Sequence, residues 1–168
     1  MISLAYIIVF MQEIERKFLV NNLQFKEEAT NAFEIAQGFL NTHPERTVRV
    51  RIKGQQGFLT VKGKSNESGT SRFEWETEIP VAEAKQLLVL CEKGIIEKKR
   101  YHIPHGNHIF EVDEFFGDNE GLIVVEVELQ HENETFSKPT WLGKEVTGQP
   151  KYYNSQLSKK PYKTWHHE

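Results

Sequence analysis

Acidic and basic side chains recur in this chain in pairs one residue apart, and the pairs are of one kind at a time. The acids are Glu13, Glu15, Glu74, Glu76, Glu78, Glu111, Asp113, Glu126 and Glu128, and the bases are Lys17, Arg49, Arg51, Lys62, Lys64, Arg72, Lys98 and Arg100. In an extended strand alternate side chains share a face, so each pair looks the same way. Carboxylate oxygens hold hard cations such as Mg²⁺ and leave coordination positions for phosphate oxygens. Guanidinium forks match phosphate oxygens two at a time, and lysines add point charge. Gathered in one place, these groups suit phosphoryl transfer, which asks for alignment and charge stabilisation more than for covalent help.

The elements that must carry them are mostly strands. Glu13, Glu15 and Lys17 alternate with Ile14, the stem of Arg16, Phe18 and Val20. Phe25 to Ala32 reads as a short helix or turn before a strand over Glu34 to Leu40. Val48, Val50 and Ile52 alternate with Arg49, Arg51 and Lys53, the residues 54–57 signal a hairpin, and Phe58 to Lys64 is its return. After a polar loop over Ser65 to Ser71, Arg72 to Glu78 places its charges opposite Phe73 and Trp75. Pro80 opens a helix whose Val81, Ala84, Leu87, Leu88 and Cys91 recur at helical spacing until Gly94. Three more strands follow, over Ile96 to Ile103, Ile109 to Phe115 and Leu122 to Leu129, the first two joined by a turn at Pro104 to Asn107. A helix over Lys151 to Lys159 closes the chain.

Seven or eight amphipathic antiparallel strands with so few helices lack cover for an open sheet, whereas curling into a barrel removes the edges. The residues alone leave two arrangements open. With the apolar face inside, the charges are a solvated exterior; with the charged face inside, they line a confined wet lumen fit for divalent metals and a polyanion.

The 168 residues, 38% hydrophobic and 27% charged, suffice for one well-filled domain. A net charge of -3 argues against general nucleic-acid binding, and no membrane partner is expected. An oligomer is compatible with the sequence. One cysteine, Cys91, cannot form an internal disulfide and fits a reducing cytoplasm. Residues 1–10 form an apolar extension without the basic start or cleavage site of a signal peptide, too short to span a bilayer, and an alternative start at Met11 would precede a single domain over 11–168. His105 and His108 fall in a turn and read as solvent-facing.

The ordered series resembles the CYTH superfamily, the triphosphate tunnel metalloenzymes. It runs through Glu13-x-Glu15-x-Lys17, Gln37-Gly38-Phe39-Leu40, Arg49-Val50-Arg51, Leu59-Thr60-Val61-Lys62 and Arg72-x-Glu74-x-Glu76. It continues through Lys98-Lys99-Arg100, Glu111-x-Asp113, Glu126-x-Glu128 and a closing Trp141-x-Gly143-x-Glu145 with Tyr153-Asn154, similar to the short bacterial branch. The resemblance implies an α+β, mainly antiparallel fold, an eight-stranded closed barrel with the charged face inward and a few flanking helices. It implies a triphosphatase using Mg²⁺ or Mn²⁺, two ions in all, with Glu13, Glu15, Asp113, Glu126 and Glu128 as metal ligands. Glu126, Asp113 and Glu76 are the expected catalytic acids. Lys17, Arg49, Arg51, Lys62, Lys64, Arg72, Lys98 and Arg100 are the expected grips on the phosphates. The small size points to inorganic tripolyphosphate; a class IV adenylyl cyclase, a thiamine or nucleotide triphosphatase, and a sensor that binds without turnover are the alternatives. No aromatic cluster that could stack a base falls on the charged face, since Phe73, Trp75 and Phe110 lie opposite it.

Overall fold

A computed structural model describes residues 12–165; the apolar extension over 1–10 and the proposed start at Met11 lie outside the described residues. In chain order the elements are β1 (Gln12–Val20), α1 (Phe25–Glu28), β2 (Asn31–Asn41), β3 (Arg46–Lys53), β4 (Gln56–Gly63), β5 (Ser71–Ile79) and α2 (Val81–Val89). They continue with β6 (Ile96–His105), β7 (His108–Phe115), β8 (Ile123–Glu128), β9 (Leu142–Glu145) and α3 (Asn154–Leu157). Strands lie in the order β5-β4-β3-β2-β6-β7-β8-β1, and β1 returns to β5 through Gln12 opposite Phe73 and Glu13 opposite Arg72, closing an eight-stranded antiparallel barrel. β9 is a short ninth strand on the far half of β1, with Val20 opposite Leu142. Among the described residues no helix is long and apolar enough to cross a membrane.

Two tight hairpins fix the register of the charged strands. Lys53 faces Gln56 across Gly54, and His105 faces His108 across Gly106. Both glycines have φ near 60° (57° and 60°), the value a two-residue turn demands at its first position if its twist is to match the strands.

The face that turns inward is the charged one. Gly38 shows this for β2: a Cβ there would stand 2.9 Å from Cys91 Sγ, outside the barrel beneath α2, so its neighbours Gln37 and Phe39 point in. The outer apolar faces are covered in part. Phe18, Phe25, Phe110, Val125, Val127 and Trp141 form one buried cluster under α1 and the segment before β9. α2 sits so close to β4 that a Cβ on Gly57 would meet Ala84 at 2.7 Å. Phe73 and Trp75 stay exposed on the outside.

A second apolar cluster lies inside. Ile96, Phe115 and Val124 occupy the inward positions next below Lys98, Asp113 and Glu126, and Tyr152, Leu157 and Val146 complete them as a floor across one end of the lumen. The expected helix over Lys151 to Lys159 is instead a 3-10 turn at Pro150–Tyr152 followed by α3. Tyr153 between them is extended, at φ -75° and ψ 136°, which lets Tyr152 turn to the floor while Asn154 reaches Lys98. One continuous helix could not point both residues that way.

Candidate active site

The lumen opens into a cavity of about 620 Å³. Its lining includes the carboxylates of Glu13, Glu15, Glu74, Glu111, Glu126 and Glu128 and the cations of Lys17, Arg49, Arg51, Lys62, Arg72, Lys98 and Arg100. Strand alternation and register explain the gathering, because the inward residues meet directly across neighbouring strands: Lys17 opposite Glu126, Glu13 opposite Arg72, Lys62 opposite Glu74, Arg100 opposite Asp113.

On the β6–β8 side the charges are locked together. Lys98 Nζ donates to Asp113 at 2.6 Å, and Arg100 grips the same carboxylate with Nε at 2.6 Å and Nη2 at 2.7 Å. Arg100 also donates to Glu126 at 3.0 Å and pairs with Glu111, while Lys17 pairs with Glu126 and stands 2.8 Å from Glu15. Burial works against each charge here, yet Asp113 and Glu111 raise Arg100 well above its ordinary value, and Lys17 and Arg100 hold Glu126 well below the usual carboxylate range. Glu111 is likewise pulled down against burial to about 2 by Arg100. Lys98, the most deeply enclosed amine, is brought down by burial to about 8 even with Asp113 beside it.

On the β3–β5 side the arginine contacts are longer. Arg49 and Arg51 reach Glu76 at 3.3 and 3.1 Å, and Thr60 donates to the same carboxylate at 2.6 Å. Burial and the neighbouring Arg49 charge lower Arg51 to about 10. Glu13 accepts from Lys62 at 2.8 Å and Arg72 at 3.2 Å, and Lys62 also stands 2.9 Å from Glu74.

The placements of four residues, Lys64, Asp113, Glu76 and His108, bear on the sequence reading. Lys64 lies past the end of β4 and is exposed, because the chain leaves the sheet after Gly63 and the period of two ends with it. Asp113 is inward but 1% exposed, beneath the lining, with both oxygens consumed by Lys98 and Arg100; Glu76 is similarly spent on two arginines and a threonine. In this arrangement both carboxylates hold cations of the lumen, Asp113 fully buried and Glu76 with its side chain 27% exposed. His108, expected in solvent, lines the cavity and pairs with Glu134 at 2.7 Å. Phe73 and Trp75 are outside as expected, and Phe110 is outside but buried under Trp141. Phe39 and Tyr153, however, reach the lining, as do Thr47 and Asn154. Asn154 accepts from Lys98 at 3.3 Å; its position beside Tyr153 in the closing motif was the signal for it.

The donor set suits a hard divalent cation. Glu15 and Glu128 stand directly opposite each other on β1 and β8, and among the described residues no cation pairs with Glu128. Burial and then the charges of Glu13, Glu111, Glu74 and Glu15 push the Glu128 carboxyl up. An acid raised by four other acids is a local surplus of negative charge, which a cation would relieve. As the side chains stand, no three acidic, histidine or cysteine groups among the described residues converge at ligand distance, since the other carboxylates are turned to their lysines and arginines.

The CYTH domain matches residues 11–161. The chain belongs to the CYTH family. An inorganic triphosphatase of Acetivibrio thermocellus is 48% identical over 155 residues, covering 92% of this chain and 97% of the relative. An inorganic triphosphatase of Nitrosomonas europaea is 38% identical over 153 residues, covering 88% and 97%. The crystal structure of the inorganic triphosphatase NE1496 superposes with a TM-score of 0.62 at 34% identity, covering 87% of this chain and 97% of that one. Family membership thus accords with the barrel closed around its charged face.

Proposed function

We propose that this CYTH protein is a divalent-metal-dependent inorganic triphosphatase, splitting tripolyphosphate with water into phosphate and pyrophosphate. The observation that carries the reading is the lumen itself, where seven lysines and arginines line one cavity, each held by a carboxylate that a phosphate chain could displace. Two relatives covered almost end to end are named inorganic triphosphatases, which supports the choice of substrate.

In this reading Arg49, Arg51, Lys62 and Arg72 take the phosphate chain from one wall, and Lys17, Lys98 and Arg100 from the other. Phosphate oxygens compete with the carboxylates for these donors, and each acid released is a ligand gained. Glu13, Glu15 and Glu128, with Glu126, would hold Mg²⁺ or Mn²⁺, two ions in the full reading; the ions supply neutralisation of phosphate charge and a more acidic water. Glu126, kept ionised by Lys17 and Arg100, would take the proton of the attacking water in this reading. Asp113 positions Lys98 and Arg100, and Glu76 positions Arg49 and Arg51. The enclosed lumen keeps these charges in low dielectric, where preorganised groups act most strongly.

Phosphate release and cyclic AMP formation measured side by side with tripolyphosphate, ATP and thiamine triphosphate, each with Mg²⁺ and then Mn²⁺, test the reading. Tripolyphosphate is expected to turn over fastest, with loss of activity in EDTA. Cyclic AMP as the main product, or a preference for an organic ester, would overturn the inorganic substrate.

A further inference from the structure

Gln37 is wholly buried, and among the described residues neither its amide nitrogen nor its amide oxygen has a hydrogen-bond partner. Buried polar groups are almost always paired, so both atoms of one side chain left open call for an account. The side chain points into the barrel, since its neighbour Gly38 faces Cys91 and Ile95 on the outside. Directly across from it stand Ile96 of β6 and Arg51 of β3, the latter in the cavity lining. Residues opposed in this way have Cβ atoms about 5 Å apart on one face.

Arg51 is incomplete in a matching way. Its Nη2 is spent on Glu76 at 3.1 and 3.2 Å, while its Nε is buried and unpaired among the described residues, as is Nε of Arg49 two residues earlier. An open donor on Arg51 thus faces an open acceptor and an open donor on Gln37. A leucine or methionine at this position, between Ile35 and Phe39 on the same strand face and opposite Ile96, would carry no polar atom to leave unpaired. The amide is mismatched to this state and matched to another.

We infer that Gln37 positions Arg51 on the substrate. When a phosphate draws the Arg51 guanidinium away from Glu76, Arg51 Nε donates to Gln37 Oε1, and Gln37 Nε2 donates to an oxygen of that phosphate. The inference rests on the lumen being a phosphate site and adds a neutral residue to its cations. A neutral donor here contributes a hydrogen bond without adding to the mutual repulsion of Arg49 and Arg51.

The test uses Gln37→Met, which keeps length and removes both polar atoms, and Gln37→Glu, which keeps an acceptor but has no donor when ionised. Tripolyphosphate binding is measured by calorimetry in EDTA, and kcat and KM are measured with Mg²⁺. Gln37→Met is expected to melt no lower than the wild type, to weaken binding by about ten- to hundredfold, the range for hydrogen bonds to charged partners, and to raise KM with kcat little changed. Gln37→Glu does not restore binding. In a double-mutant cycle Gln37→Met adds little to Arg51→Ala, because the two act as a unit. Wild-type affinity in Gln37→Met, or full additivity with Arg51→Ala, overturns the inference. If Gln37→Met fails to fold, wild-type affinity in Gln37→Glu overturns it equally, and weakened affinity upholds it. A wild-type protein that neither binds nor hydrolyses tripolyphosphate overturns the proposed function as well, and shows it before any variant is made.

Discussion

The two walls of the lumen hold the same kinds of side chain in different states. On β6–β8, Lys98, Arg100 and Asp113 meet at 2.6–2.7 Å with almost no exposure, and Arg100 is raised well above its ordinary value. On β3–β5, Arg49 and Arg51 reach a single half-buried Glu76 at 3.1–3.3 Å, Arg51 is lowered to about 10, and buried donors stay open. The first wall is charge-matched before anything binds. The second is short of negative charge, and it is there that an incoming anion gains most. Rigidity and readiness to exchange partners are thus divided between the walls.

The largest expected effect breaks the first wall. Asp113→Ala leaves Lys98 and Arg100 enclosed without their shared partner, and removing one side of a buried ion pair costs about 3–5 kcal/mol. Glu76→Gln, which keeps a polar group beside half-buried arginines, should cost far less. Denaturant unfolding of both variants checks this, and equal losses would erase the contrast between the walls.

Next come effects on turnover. Glu126→Gln should lower kcat by about 10²–10³, the scale for one preorganised electrostatic group, with substrate affinity largely kept. Arg51→Ala should lose affinity as well as rate. Single-turnover and binding measurements with tripolyphosphate separate the two, and a near-normal rate for Glu126→Gln would remove it from the chemistry. The intact protein should also gain stability from substrate with Mg²⁺. A ligand at about a hundred times its Kd adds about 2.7 kcal/mol, and a melt unchanged by tripolyphosphate plus metal would contradict a lumen that takes phosphate.

Acid should unlock the first wall. Glu111 is held at about 2 and Glu126 well below the usual range, so both favour the folded state above the unfolded carboxyl value of about 4.3. That contribution fades as pH falls from about 5 towards about 2. Glu128, raised instead, is relieved as it protonates and works the other way. Melting temperatures of the wild type and Glu111→Gln across this range should converge at the acid end. The smallest effect is Glu128→Gln, which removes a carboxylate facing Glu15 and should stabilise the ligand-free protein by about 0.5 kcal/mol while raising the Mg²⁺ needed for activity. Loss of stability in that variant would mean Glu128 has a cationic partner.

Much of this was legible in the sequence because strand alternation is local. Arg49-x-Arg51 or Glu126-x-Glu128 names a shared face without any knowledge of the neighbours, and the tight turns at Gly54 and Gly106 carry that face into register. Residues alone left inward and outward charges equally open; the family resemblance chose inward, as observed. What could not be read was depth along the lumen. Asp113 and Glu111 share a face two residues apart, yet one lies under the lining and the other on it, since depth depends on strand tilt and on what β6 places opposite. Lys64 looked like Lys62 until the strand ended. The four-residue β9 is too short to show a period, and its Gly143 packs where a Cβ would meet the Leu19 carbonyl at 2.9 Å, a contact only the tertiary fold reveals. Gln37 was visible as part of a motif, but its lack of partners was not.

The apolar floor of Ile96, Phe115, Val124, Tyr152 and Leu157 turns the barrel from a sleeve into a cup. A linear polymer cannot be threaded through a cup, so whatever enters does so end first, and counting begins at its terminus. Only as many links as the charged walls are tall can be gripped, and both fragments must leave by the rim through which the whole arrived. Length of chain is then measured by a dead end rather than by any group that recognises the far terminus.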